Sequence, residues 1–250
     1  MDCKIIIPSK GRSKNVLTTK MVDNAIICVA ESEKNEYSIY NTNNEIITHP
    51  DDIIGLSNKR NWIRNYFGDV FMLDDDCTML RRLYTDKNEA SKTTPQETYM
   101  LIQNIYHCAI DSGAFLFGFN HSNAPMFFNA HKPIQLTGYI PGHAIGVRKE
   151  NKLHFGHSTA VEDYFISGIN AYFYRIIWKD NRFYVVQKDT FCNVGGLSYY
   201  RTMESEKNDT EYLKKMFGDS IQSKKETYKI SQNQTIRSKN QYGRSLIINF

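Results

Sequence analysis

Three consecutive carboxylates, Asp74-Asp75-Asp76, close the apolar run Val70-Phe71-Met72-Leu73. Like charges held this close raise one another's proton affinity and weaken a fold unless something neutralises them. Two arrangements meet that demand: a strand exit that leaves the carboxylates in water, or a bound divalent cation. Mg2+ and Mn2+ take oxygen ligands and keep waters or substrate phosphates in their shell, so one or two carboxylates and a diphosphate would complete the coordination. Along an extended chain Asp74 and Asp76 share one side and Asp75 faces the other. Asp74 and Asp76 are therefore the candidate metal pair, and Asp75 a supporting group.

Other residues with chemical potential are less specific. His121, His131, His143, His154 and His157 crowd one region, but His154 and His157 lack the helical i, i+4 spacing of a metal pair and have no cysteine nearby. Acceptor-pocket or surface positions suit them better. Residues 137–143 and 193–197 are rich in glycine without matching G-x-G-x-x-G or a P-loop, which argues against a dinucleotide or ATP site. Their glycines serve either as turns or as places where backbone approaches a ligand closely. Tyr139, Tyr199 and Tyr200 lie beside them and could stack on a sugar or base, although burial accounts for most such aromatics.

These groups need a scaffold, and the pattern predicts an α/β one. Residues 3–7 form an apolar run that breaks into Pro8-Ser9-Lys10-Gly11-Arg12, as a buried strand breaks into a turn. Further strands are expected at 25–30, 45–48 and 70–73, a spacing that suggests βαβ units. A helix over 56–67 would place Leu56, Ile63, Tyr66 and Phe67 on its packed face and end at Gly68. Its other face carries Lys59, Arg60 and Arg64, either as an ordinary wet surface or as cations for a ligand. Thr94-Pro95-Gln96-Glu97 reads as a capping box opening a helix to about 111, and Thr159-Ala160-Val161-Glu162 as a second one. Strands are expected at 114–119 and 144–147, and a hairpin from 176–178 and 183–186. Parallel sheets bind ligands beyond the carboxyl ends of their strands, which puts residues 8–12, Glu31 and the triplet on one edge.

Bulk properties set limits. At 250 residues and 41% hydrophobic content the chain can fill a sizeable core, and 16 Tyr with 14 Phe exclude a disordered or low-complexity protein. The start, Met1-Asp2-Cys3-Lys4, lacks a secretory pattern, and nowhere do enough apolar residues run together for a membrane span. Five cysteines (Cys3, Cys28, Cys77, Cys108, Cys192) with no C-x-x-C pair argue against a disulfide framework or structural zinc. We therefore expect a soluble, cytoplasmic protein with no membrane partner. The net charge is +4, and Lys224, Lys225, Lys229, Arg237, Lys239 and Arg244 are opposed after 221 only by Glu226. That stretch is either a solvated tail or a surface for a polyanion. The expected organisation is one domain over 1–220, in halves 1–80 and 81–220, followed by a basic segment at 221–250.

Three stretches together resemble the GT-A glycosyltransferases. Ile5-Ile6-Ile7-Pro8-Ser9-Lys10-Gly11-Arg12 looks like that family's first strand and turn, Leu56-Ser57-Asn58-Lys59-Arg60-Asn61 like its basic helix, and Phe71-Met72-Leu73-Asp74-Asp75-Asp76 like its D-x-D strand. The resemblance implies a single GT-A-like domain, with a Rossmann-like, mainly parallel nucleotide half and a mixed acceptor half. It further implies a nucleotide-sugar, favouring a UDP-sugar, bound by Pro8, Ser9, Arg12, Glu31, Lys59, Arg60, Asp74 and Asp75, and Mn2+ or Mg2+ on Asp76 and Asp74. Lys59 or Arg60 would then reach the diphosphate. Val161-Glu162-Asp163-Tyr164-Phe165 looks like the E-D pair of inverting members, which implies Asp163 as the base that takes the acceptor hydroxyl's proton. Acids in a first helical turn also favour the helix dipole, and a capping role suits Glu162. Gly142, His143, Glu162, Gly195 and Gly196 are the acceptor-side candidates. The family's late metal-binding histidine has no counterpart after His157.

More narrowly, the order P-S-x-G-R, L-D-D-D, V-E-D-Y-F and V-G-G-L is similar to the phage TET-associated glycosyltransferases, which modify hydroxymethylpyrimidines in DNA. This implies a DNA acceptor, whose target base would be flipped from the duplex while basic residues hold phosphates. Rival readings are a glycosyltransferase for a glycan or polysaccharide, a nucleotidyltransferase, and an inactive module that only binds nucleotide or DNA.

Overall fold

The computed structural model describes residues 2–86, 88–123, 128–188, 202–223 and 244–247. Cys192, Gly195, Gly196, Tyr199, Tyr200 and the basic stretch 224–243 lie outside the described residues.

Four parallel strands form the first half of the central sheet: β1 (Lys4–Pro8), β2 (Ile26–Ala30), β3 (Ile46–His49) and β4 (Val70–Leu73), in the order β3-β2-β1-β4. The sheet continues from β4 through β8 (Ala144–Val147), β6 (Leu116–Phe119), β9 (Ile177–Asp180) and β7 (Ile134–Gln135). Here β8 runs antiparallel to both neighbours, β6 pairs parallel with β9, and β7 is antiparallel. The parallel first half and mixed second half are those expected of an α/β GT-A-like domain.

The apolar strands are buried on both faces, which is why they read as continuous runs rather than alternating ones. Ile5, Ile7, Phe71, Leu73, Phe117 and Phe119 face one core, shared with Ile102, Ile105 and Ala109 of α3 (Pro95–Asp111). Ile6, Val70, Met72, Leu116 and Ile145 face the other, with Ile63 of α2 (Leu56–Phe67), Phe165 and Ile169 of α4 (Glu162–Phe173), and Leu213 of α5 (Met203–Phe217). Each such fully buried side chain contributes about 1.5–3 kcal/mol of transfer free energy. The short α1 (Lys34–Tyr40) packs beside β3. Outside the main sheet, β5 (Cys77–Arg82) pairs antiparallel with β10 (Phe183–Gln187), and β11 (Ile221–Ser223) with β12 (Arg244–Leu246).

The Thr94 capping box forms as expected: its hydroxyl accepts from the Glu97 N–H and the Glu97 carboxylate from the Thr94 N–H. Gly68 ends α2 with φ of +84°, a conformation that favours glycine.

Three expectations are corrected. The strands at 177–180 and 183–187 are not a hairpin, because the chain passes from the main sheet at β9 to the separate β5–β10 ribbon. The turn between them is instead locked by Asp180, whose carboxylate accepts from Arg182 N–H, Nε and Nη2. Thr159 does not cap α4; Val161 holds the N-cap position without a side-chain bond, and the N–H groups of Thr159 and Ala160 are taken by Asp209 of α5. Finally, Lys59 and Arg60 are not a wet face of α2: they are 7% and 1% exposed, whereas Tyr66, expected to pack, is 61% exposed.

Candidate active site

The triplet leaves β4 between its neighbours β1 and β8, and strand alternation persists past the last bonded residue. Asp75 turns to the side of β1's turn: it accepts Ser9 Oγ at 2.5 Å and Arg12 Nη1 at 2.6 Å. Asp74 turns to the α2 side and accepts Arg60 Nη2 at 2.8 Å. The backbone here is braced as well. Asp74 N–H donates to the His143 carbonyl, Thr18 Oγ1 to the Asp74 carbonyl, and Leu17 N–H to the Asp75 carbonyl. Such bracing holds three neighbouring carboxylates in fixed directions.

Asp74 and Asp76 converge. Gln187 Nε2, at the end of β10, lies 3.2 Å from Asp74 Oδ2 and 3.2 Å from Asp76 Oδ1. Arg12 Nη1 stands 3.8 Å from Asp76 Oδ2. Burial, opposed by Arg60 and reinforced by Asp76 and Asp75, pushes the Asp74 carboxyl up to about 7. Burial and Asp75 raise Asp76 as well. Two oxygen donors that meet at one point, both with raised proton affinity, fit a hard divalent cation. Among the described residues, no group of three or more His, Cys, Asp or Glu side chains is arranged to hold a metal ion, so a further ligand from these residues would be an amide oxygen, with water or substrate oxygens beside it.

The turn after β1 is held by hydrogen bonds to Glu33 and Tyr37. Gly11 has φ of +65°, and its N–H donates to Glu33 Oε1 at 2.7 Å. Tyr37 Oη accepts the Arg12 N–H at 3.0 Å and shares a hydrogen bond with Ser9 Oγ, while burial pushes its phenol up to about 12 and keeps the proton on it. A cleft of about 450 Å³ opens beside this turn, lined by Gly11, Arg12, Ser13, Lys14, Glu36 and Asp76 among others. Pro8 ends β1, and Glu31 follows β2 as an exposed residue.

Lys59 and Arg60 are both committed within the protein. Lys59 Nζ donates to the Ser9 carbonyl at 2.7 Å, and burial lowers its proton affinity. Arg60 bridges Asp74 and Glu162, with Nη1 3.2 Å from Glu162 Oε1. Burial raises the Glu162 carboxyl, with Arg60 opposing. Arg60 thereby ties the acidic strand exit to the first turn of α4.

That first turn carries Asp163. Its Oδ2 accepts the Tyr139 hydroxyl at 2.5 Å and the Gly142 N–H at 2.9 Å, and its Oδ1 accepts the Tyr164 N–H at 2.8 Å. A carboxylate can accept about four hydrogen bonds, so Oδ1 keeps capacity for one more. Burial first, then the Asp163 charge, holds the Tyr139 phenol protonated and so fixed as a hydrogen donor. A Cβ at Gly142 would lie 3.0 Å from both Arg60 Nη1 and Asp163 Oδ2, which explains the glycine there. His143 is kept neutral, its pKa lowered to about 4 by burial, and its Nε2 bonds the Val185 carbonyl at 3.2 Å. It supports the site through its ring and backbone.

The structure thus brings together Ser9, Arg12, Lys59, Arg60, Asp74, Asp75, Asp76, Gly142, His143, Glu162 and Asp163. Sequence reasoning missed Tyr37, Glu33, Gln187 and Asp209, which lie on elements with no motif of their own. His154 is not beside the triplet; its Nδ1 accepts the Gly156 N–H and its ring packs on Phe165. Among the described residues, no helix is long and apolar enough to cross a membrane.

No curated protein matches the sequence. Among solved structures, TarS 1-349 of S. aureus in complex with UDP-GlcNAc aligns at 10% identity and a TM-score of 0.50, covering 84% of this chain and 66% of its own. A second structure of TarS 1-349 aligns at 10% identity and TM-score 0.45 over 97% and 78% of the two chains, and A197 from STIV at 10% and 0.39 over 75% and 86%. The TarS complex supports a GT-A-like fold for this chain. The profile of the TET-associated glycosyltransferases matches residues 3–196, across β1, the acidic triplet, the Glu162-Asp163 turn and the glycines that follow, and the chain belongs to that glycosyltransferase family.

Proposed function

We propose that this glycosyltransferase moves a sugar from a nucleotide-sugar, a UDP-sugar first among them, to the hydroxyl of a hydroxymethylated pyrimidine in DNA, with inversion at the anomeric carbon. The observation that carries the reading is the convergence of Asp74 and Asp76 on one point, 3.2 Å from each to Gln187 Nε2, beside the cleft at Arg12. The UDP-GlcNAc held by TarS supports a nucleotide-sugar donor. Asp76 and Asp74 would hold Mn2+ or Mg2+, which when bound offsets the charge growing on the departing diphosphate.

The remaining roles fall to the protein's own groups. Arg12 adds positive charge at the cleft, and Asp75 holds Arg12 in place. Asp163, oriented by Tyr139 and Gly142, takes the proton from the acceptor hydroxyl as that oxygen attacks the anomeric carbon and the bond to the diphosphate breaks. A base inside a duplex must leave the stack to reach this centre, and basic residues beyond 221 would contact phosphates without reading sequence.

A mass-spectrometric screen tests the acceptor. Nucleotide-sugars are offered to oligonucleotides containing hydroxymethylcytosine or hydroxymethyluracil and, separately, to glycans. We expect one sugar residue's mass on the modified base. Addition of a nucleotide would mark a nucleotidyltransferase, and addition only to a glycan would overturn the DNA assignment.

A further inference from the structure

Gln187 reaches the two carboxylates because of an irregularity in the β5–β10 ribbon. The pairing runs regularly from Phe183 opposite Arg82 to Val186 opposite Met79, and then shifts so that Gln187 faces Cys77 instead of Thr78. Thr78 Oγ1 closes the irregularity by donating to the Val186 carbonyl at 3.1 Å, and Lys188 N–H donates to the Asp76 carbonyl at 3.0 Å. Bulges beside active sites re-aim a side chain, and this one delivers a carboxamide to the point where Asp74 and Asp76 meet. Its NH2 group spans the two carboxylates. Half a turn about the terminal bond would put a carbonyl oxygen in place of that NH2, with the same side-chain position and a donor suited to a hard cation.

We infer that Gln187 is a third protein ligand of the divalent cation: its NH2 screens Asp74 from Asp76 when no metal is bound, and its carbonyl oxygen joins them when the metal enters. The inference rests on the metal reading above. Two carboxylates and one neutral oxygen would leave half of an octahedral shell for diphosphate oxygens and water. The arrangement also accounts for a site with two acidic ligands and no late histidine.

The test titrates Mn2+ into the full chain with saturating UDP and reads bound Mn2+ by electron paramagnetic resonance against a UDP blank. Wild type is compared with Gln187→Leu, Gln187→Glu and Asp76→Asn, and metal-free melting temperatures check the fold of each. A ligand role predicts that Gln187→Leu binds Mn2+ about tenfold more weakly or worse, while Gln187→Glu, which keeps an oxygen, binds at least as tightly as wild type. A purely structural hydrogen bond predicts instead that Gln187→Leu binds Mn2+ as tightly as wild type, with the loss of the donor read only as a lower metal-free melting temperature in Gln187→Leu and, with its third negative charge, in Gln187→Glu. Equal Mn2+ affinity in wild type and Gln187→Leu, or a Gln187→Glu as weak as Gln187→Leu, overturns the inference. If wild type and Asp76→Asn alike add no Mn2+ binding beyond the UDP blank, the metal reading itself falls, and this inference with it.

Discussion

Arg60 Nη2 donates to Asp74 Oδ1 across 2.8 Å, and the guanidinium that does so is only 1% exposed. The other branch of the same guanidinium faces Glu162, so one cation joins the exit of β4 to the first turn of α4. The two motifs proposed to carry the chemistry lie 88 positions apart between Asp74 and Glu162, and this side chain contacts both.

Replacing Arg60 by Leu should destabilise the protein by about 3–5 kcal/mol, because removing one partner of a buried ion pair leaves its carboxylates uncompensated. Arg60→Lys should fall between, since a single ammonium cannot fork to Asp74 and Glu162 at once. Urea denaturation measures both; an Arg60→Leu variant within about 1 kcal/mol of wild type would show the bridge to be incidental.

Asp163→Asn should lower sugar transfer by about 10²–10⁴-fold, the usual size of a general-base contribution. Nucleotide-sugar binding, followed by calorimetry, should change little because Asp163 sits on the α4 side of Arg60. Transfer that persists in this variant would place the base elsewhere or indicate retention of configuration.

Gly142→Ala is the complementary geometric test. The new methyl would meet Asp163 Oδ2 and Arg60 Nη1 at 3.0 Å and must displace one of them. Transfer should drop with nucleotide-sugar affinity preserved, and a fully active variant would show that the position of Asp163 is not critical.

The legibility of this molecule in its sequence follows the range of the forces. The Thr94–Glu97 capping box and the Gly68 stop were readable because each is completed within a few residues. The alternation that splits Asp75 from Asp74 and Asp76 was readable because strand geometry extends past the last apolar residue. Burial of Lys59 and Arg60 was not, since their partners, the Ser9 carbonyl, Asp74 and Glu162, come from three distant segments. The apparent hairpin failed for the same reason: the turn at Asp180 is local, but each strand's pairing is decided elsewhere. Gln187 carried no sequence signal, because its position depends on a register shift against β5.

The metal binding proposed at Asp74 and Asp76 has a pH response of defined sign. Asp74 is pushed up to about 7 in the folded protein against an ordinary 3.8. Between those values the folded chain holds a proton that the unfolded chain has released, so the metal-free fold loses stability as pH rises through this window. A cation competes with that proton, so Mn2+ affinity should rise as pH climbs through 7. Melting curves with and without Mn2+ at about pH 5.5 and about pH 8 should show the larger Mn2+-induced increase at the higher pH; a larger increase at the lower pH would contradict the assignment of Asp74.

Nucleoside diphosphate release tests most directly whether sugar leaves a nucleotide-sugar at a cation held by Asp74 and Asp76. Wild type with Mn2+, wild type with excess chelator, and Asp76→Asn with Mn2+ are each given nucleotide-sugar and hydroxymethylated DNA. We expect diphosphate release and an equal amount of glycosylated base in the first reaction alone, with Asp76→Asn still folded by its melting temperature. Undiminished release and transfer in chelator, or by Asp76→Asn, would contradict the account.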